Sequence, residues 1–136
     1  MASVVGKWKI ENSDNFEEYM KAIGISDEKR ATAHKFLSTG SNMTQEFSSD
    51  GDNWTMTTNT AAGERAFPFT LGKEMDSMTL DGRAIKVIFT VDGDSLVEKQ
   101  KGDGFECTHV RKGDGNTLTM TLTGGGQTCI RSFSKV

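Results

Sequence analysis

The chain of 136 residues is poor in the residue types that build catalytic and metal centres, and poor in proline. Cysteine occurs only at Cys107 and Cys129, too few for a disulfide framework and without the paired spacing of a zinc site. Both read as reduced wall or core residues; a bridge would need their Cα atoms within about 7 Å, which spacing alone does not show. Histidine occurs only at His34 and His109, and no nucleophile–base–acid set, phosphate-cradling loop or dinucleotide-type glycine pattern accompanies them. The expectation is therefore a protein that is not an enzyme and takes no metal or cofactor. No run of about 18 apolar residues offers a membrane-spanning helix. The opening segment, Met1 to Lys7, lacks the basic stretch followed by an apolar stretch that marks a secretory signal. A complete chain of this kind is expected to be cytoplasmic, although a mature secreted form would read the same. Charge of one sign is missing too. Sixteen Lys and Arg face 19 Asp and Glu, a net of −3, which argues against nucleic acid or anionic membrane as the main partner.

What is abundant is turn chemistry. Asp-Gly pairs stand at Asp81-Gly82, Asp92-Gly93, Asp103-Gly104 and Asp114-Gly115, each 11 residues after the last. Gly124-Gly125-Gly126 continues the beat, and Asp50-Gly51 marks an earlier turn. Asp-Gly between alternating runs signals a hairpin, because the tight turn requires positive φ that glycine and aspartate tolerate. The runs between these turns alternate. In Thr117 to Thr123, leucine and methionine hold one face and threonine the other, and Ile85, Val87 and Phe89 share a face.

Ten strands are predicted: Lys7–Ser13, Asn42–Ser48, Asn53–Thr60, Arg65–Thr70, Met75–Leu80, Arg83–Phe89, Ser95–Lys101, Phe105–Lys112, Thr117–Thr123 and Gln127–Lys135. A meander of this length hides its edges best by closing into a barrel. Between the first two strands the period changes. Asp14 reads as a helix cap with Glu17 three residues on, and Phe16, Tyr19, Met20 and Ile23 line one helical face up to Gly24. Ser26 caps a second short helix with Asp27 and Glu28 in its first turn and Lys35 in its last. Such a helix pair would cover one open end of the barrel. The whole chain, 1–136, reads as one domain of ordinary globular composition, with 35% hydrophobic residues and 15 glycines.

Gly6-Lys7-Trp8-Lys9-Ile10, Asn15-Phe16-Glu17, Tyr19-Met20 and Ile23 together resemble the N-terminal signature of the intracellular lipid-binding proteins, the fatty acid-binding protein group. The C-terminal Cys129-Ile130-Arg131-Ser132-Phe133 resembles that family's Arg-x-Tyr ending, and the spacing of Arg111 and Arg131 matches its two interior arginines. The resemblance covers essentially the whole chain. It implies a mostly β fold: a ten-stranded, up-and-down antiparallel, calycin-like barrel with a helix-turn-helix lid between the first two strands. It also implies a monomeric carrier of long-chain fatty acids, with transient membrane contact through the lid. Retinoic acid or another hydrophobic carboxylate is the alternative cargo, since retinol-binding members generally have glutamine at both arginine positions. A membrane-stacking structural role would favour a basic surface and is disfavoured by the net charge.

Strand alternation assembles the candidate site. With Arg111 inward, Phe105, Cys107 and His109 share its face; with Arg131 inward, Gln127, Cys129 and Phe133 join it. An apolar interior holds guanidinium groups only at high cost without partners, whereas an anionic guest pairs with them bidentately. Arg111 and Arg131 are therefore the candidate carboxylate ligands, and His109 a cavity-facing hydrogen-bonding residue or a satisfied wall histidine. Met120 and Met56 offer adaptable apolar wall. Phe16, Met20, Thr58 and Phe133 complete the ligand-lining candidates, Phe16 reading equally as lid packing. Asp81 and Arg83 resemble a charged pair on the inner wall of some family members. The chain also departs from the family pattern: Phe133 replaces the tyrosine, Asn59-Thr60-Ala61-Ala62 lacks a bulky portal phenylalanine, and about five extra residues fall around Thr39 to Ser49.

The departure at Phe133 generates a test. A neutral hydrogen bond contributes about 0.5–1.5 kcal/mol net. Phe133→Tyr is expected to tighten fatty-acid binding by a few fold while leaving a fatty alcohol of equal length unchanged, as measured by calorimetry on both ligands. An equal gain for acid and alcohol, or a loss for both, removes position 133 from the head-group site.

Overall fold

The structure is a computed structural model that describes residues 4–78 and 83–136. Ten antiparallel strands form one sheet: β1 (Gly6–Asp14), β2 (Thr44–Asp50), β3 (Asn53–Thr60), β4 (Gly63–Thr70), β5 (Met75–Met78), β6 (Ala84–Asp92), β7 (Ser95–Gly102), β8 (Phe105–Asp114), β9 (Thr117–Gly124) and β10 (Gln127–Lys135). Their order is β4-β3-β2-β1-β10-β9-β8-β7-β6-β5. Every neighbour is thus a sequence neighbour except β1 and β10, whose pairing curls the meander into a nearly closed barrel. The strands expected from the turn spacing are all present. The fifth is described over Met75–Met78, the remainder of that prediction lying outside the described residues along with Asp81 and Gly82.

The seam between β4 and β5 is bridged by side chains rather than by a ladder. Phe69 of β4 stacks on Phe89 of β6 with centroids 3.8 Å apart, flanked by Phe67 and Trp54. The Gly72 N–H donates to the Phe89 carbonyl at 2.8 Å. Pro68, the single proline, sits on edge strand β4, where a missing N–H costs no interior ladder bond.

The lid comprises α1 (Phe16–Ala22) and α2 (Asp27–Leu37), followed by a 3-10 turn at Thr39–Ser41. The expected face of α1 is buried: Phe16, Tyr19, Met20 and Ile23 all lie in the core. The capping expectation is corrected. Asp14 is the last residue of β1, paired with Ile130, and the residue before α1 is Asn15, at φ 68°, with no side-chain cap. Its amide instead donates to the Thr128 carbonyl at 2.9 Å and to Gln127 Oε1 at 3.1 Å, pinning the strand-to-helix corner onto β10. The same contact corrects Gln127, which is exposed at the strand's rim rather than inward. Glu17, freed from a capping box, accepts from Arg30 Nε at 3.1 Å and pairs with His34 Nε2 at 2.9 Å, joining the two helices. Ser26 does cap α2, its hydroxyl accepting from the Lys29 N–H. Only Ala33 of α2 is buried, so this helix is held less by packing than α1.

The helix α1 rests on the turn between β9 and β10. Gly125 has φ +57°, and a Cβ there would lie 2.5 Å from the Ala22 carbonyl oxygen. Gly93, in the β6–β7 turn, has φ +62° but open space around it. Gly93→Ala therefore carries only the left-handed backbone penalty, roughly 1–2 kcal/mol. Gly125→Ala carries that penalty plus a steric one of about 1–3 kcal/mol. Denaturant unfolding is expected to rank Gly125→Ala below Gly93→Ala, with faster amide exchange in α1 for the first only.

Candidate ligand site

The sheet register brings the two interior arginines to one row. Arg111 of β8 stands opposite Met120 of β9, and Met120 opposite Arg131 of β10. Two strand spacings separate the arginine backbones, roughly 10 Å. Both side chains are buried, at 2% and 3% exposure, and Met120 between them at 6%. Alternation along threonine-rich strands is what turns these residues inward.

The two guanidinium groups have different company. Arg111 Nη1 donates to Glu98 Oε1 at 2.8 Å, and Glu98 is itself buried on β7. The second Glu98 oxygen accepts from Gln100 Nε2 at 2.5 Å, and Gln100 Oε1 accepts from Cys107 Sγ at 3.3 Å. His109 lies directly across from Glu98 in the ladder, its Nδ1 3.6 Å from Glu98 Oε1. Its Nε2 is 2.9 Å from Tyr19 Oη, so α1 is latched to the wall of β8. Across the barrel, the Phe47 ring faces the Arg111 guanidinium at 5.4 Å. Arg131 has no carboxylate partner among the described residues. It donates through Nη2 to the Leu37 carbonyl at the end of α2, and its guanidinium lies 4.2 Å from the Phe16 ring centroid. The Nε atoms of both arginines are buried with no hydrogen-bond partner among the described residues.

These surroundings set the protonation. Burial pushes the Glu98 carboxyl up, but the Arg111 charge and the His109 contact outweigh it and hold the group well below the usual carboxylate range. Burial disfavours imidazolium at His109, yet its contacts with Cys107 and Glu98 raise it above 6.5. Burial pushes Arg131 down to about 10, which leaves it charged at neutral pH. Burial pushes the Tyr19 phenol up, so it stays protonated.

Of the residues singled out from the sequence, Arg131, Phe16, Met120, Arg111 and His109 come together. Met20 is fully buried on α1, and Phe133 is buried one row along, opposite Leu118 and Ile10. Thr58 is half-buried on β3, its hydroxyl 3.4 Å from Gln45 Nε2, and stands apart from this cluster. Arg83 donates to the Ile23 carbonyl at 2.9 Å and lies 4.3 Å from the Phe105 ring centroid, while Asp81 is outside the described residues. Both cysteines are free and buried. Sequence reasoning missed Glu98, Gln100, and the polar role of Tyr19. Leu96 carried the available signal: its alternation places Glu98 and Gln100 on the same face as a core residue. A cleft of about 330 Å³ opens beside the lid, lined by Phe16, His34, Ser38 and Thr39 among others.

The site thus comprises an up-and-down barrel with two buried arginines beneath a helical lid. The sequence profile of the Lipocalin / cytosolic fatty-acid binding protein family matches residues 5–136, and the chain belongs to that family, whose members of this type are lipid-binding carriers rather than enzymes. It is 43% identical over 98 residues to the muscle fatty acid-binding protein of Schistocerca gregaria, covering 71% of this chain and 70% of that one. It is 40% identical over 101 residues to sodium/calcium exchanger regulatory protein 1 of Doryteuthis pealeii, covering 74% and 73%. Among solved structures, the Schistosoma mansoni fatty acid binding protein in complex with arachidonic acid superposes with TM-score 0.89 at 31% identity, covering 100% of this chain and 98% of that one. No helix among the described residues is long and apolar enough to cross a membrane.

The Glu98 environment predicts an acid dependence. Its folded pKa lies below the unfolded value of about 4.3, so it contributes stability above that pH, and the contribution is lost as pH falls. Glu98→Gln is expected to lower stability at pH 7 yet to lose less between about pH 5 and 3 than the parent, measured by denaturant unfolding at each pH. Parallel pH profiles would show that Glu98 is not held in its ionised form.

Proposed function

We propose that this protein carries one long-chain fatty acid, carboxylate inward, through the cytoplasm as a monomer. The observation that supports this reading most is Arg131, a buried cation with no anionic partner among the described residues. A ligand carboxylate would replace the Leu37 carbonyl there, because charge-assisted bonds are roughly twice as strong as neutral ones. Phe16, Met20, Met120 and Phe133 supply apolar wall beside it, with Arg111 and His109 behind Met120 and Thr58 further along. About fourteen buried methylenes contribute about 11 kcal/mol before ordering costs, consistent with micromolar to nanomolar affinity. The names of the Schistocerca and Schistosoma relatives support the same cargo.

Membrane contact through the lid belongs to the proposal in a reduced form. Lys29 and Lys35 of α2 are exposed, but Arg30 is tied to Glu17, Asp27 and the Ile25 carbonyl. The head-group assignment is tested by Arg131→Gln. A charge-assisted bond is worth about 1.5–3 kcal/mol, so oleate affinity is expected to fall by about tenfold or more while oleyl alcohol affinity holds. Equal oleate affinity before and after would place the carboxylate elsewhere.

A further inference from the structure

The two arginines of the row are chemically unequal, and Glu98 makes them so. Its carboxylate is fixed from three directions: Arg111 Nη1 at 2.8 Å, Gln100 Nε2 at 2.5 Å, and His109 Nδ1 at 3.6 Å. It is buried at 6% exposure, so it cannot swing away into water. Arg111 is thus already neutralised by an anion belonging to the protein. Arg131, across Met120, meets a neutral carbonyl and an aromatic face and no carboxylate among the described residues.

We infer that Glu98 is a specificity-determining residue: an internal carboxylate that occupies Arg111 and confines the ligand's head group to Arg131. The inference rests on the proposed carriage of a fatty acid and adds which arginine is open to it. A second carboxylate reaching for Arg111 would come to rest against Glu98, two like charges in a low-dielectric interior, which is unfavourable. The site therefore suits an apolar ligand with a single anionic head group seated beneath α2, next to Phe16 and the Leu37 carbonyl. It disfavours a head group that spans both arginines. Glu98 lowers the affinity the barrel would otherwise have for carboxylates and leaves neutral lipids unaffected.

The test compares the full chain with Glu98→Gln and with the double variant Glu98→Gln, Arg111→Gln. Glutamine keeps the shape of Glu98, and the double variant removes both members of the ion pair and so adds no unpaired buried charge. Calorimetry with oleate and with oleyl alcohol reads the result. Glu98→Gln is expected to tighten oleate by about tenfold, because Arg111 becomes a second receptor of the charge-assisted kind. The double variant is expected to return to the parent's oleate affinity within about threefold, since Arg131 alone holds the head group in both. Oleyl alcohol should vary by less than about threefold throughout, as it brings no charge to either arginine. Oleate binding to folded Glu98→Gln no tighter than to the parent overturns the inference. So does a loss of about tenfold in the double variant, which would show that Arg111 already held the carboxylate in the parent. Should Glu98→Gln fail to fold, the double variant alone decides: parental affinity supports the inference and tenfold weakening overturns it. A parent chain that binds no oleate overturns both this inference and the proposed function. A parent that binds oleate, with a flat response in Glu98→Gln, overturns this inference alone.

Discussion

Taking a guanidinium group out of water is the constraint around which this barrel is arranged. An unpaired ion in a low-dielectric interior is too costly to persist, so every buried charge must be answered by an ion, a dipole or a π-face. The chain answers Arg111 with Glu98, and Glu98 in turn recruits Gln100 and His109. Arg131 is answered more weakly, by the Leu37 carbonyl and the Phe16 ring. Breaking a buried pair by removing one partner is far more damaging than replacing both, so the Arg111–Glu98 pair ties β7 to β8 as firmly as it tunes the interior.

The same interior charges seat the lid. Tyr19 of α1 reaches His109, the carbonyl that closes α2 meets Arg131, and Phe16 covers the Arg131 guanidinium. Outside the barrel, Asn15 grips β10 and Glu17 joins the two helices. A helix as short as α1, seven residues, gains little from propensity alone and is held by these contacts and its buried face. The contrast with α2, which buries only Ala33, follows from composition. Its sequence is charged on most sides, and one polar helix can be spared from the core when the other supplies Phe16, Tyr19, Met20 and Ile23.

Much of this was legible in the residues. Asp-Gly turns at a regular interval and threonine-backed alternation give the meander, because side-chain direction in a strand follows from parity alone. Parity also turned Cys107, His109, Arg111, Cys129, Arg131 and Phe133 inward, as found. It failed at Gln127, where the strand runs past the rim and alternation no longer decides exposure. Asp14 misled as a cap because the capping pattern is local, whereas the strand pairing that claims Asp14 joins it to Ile130, far along the chain. Glu98 was missed for a related reason. A lone acidic residue in a short strand that also carries Lys99 and Lys101 reads as surface, and nothing in its neighbours announces a partner on another strand.

The sequence by itself determined the strand count, the placement of the helix pair, the inward set apart from Gln127, and the family, since each depends on local periodicity, turn chemistry or short motifs. Only the tertiary structure decided which buried charges meet. Pairing Glu98 with Arg111, Tyr19 with His109 and Arg131 with the end of α2 depends on side-chain reach and on how the barrel closes, distances that parity does not contain. The physical reason is that a strand pattern states which face a side chain takes, whereas electrostatic partnership is set by separation in space and by the absence of water between the groups.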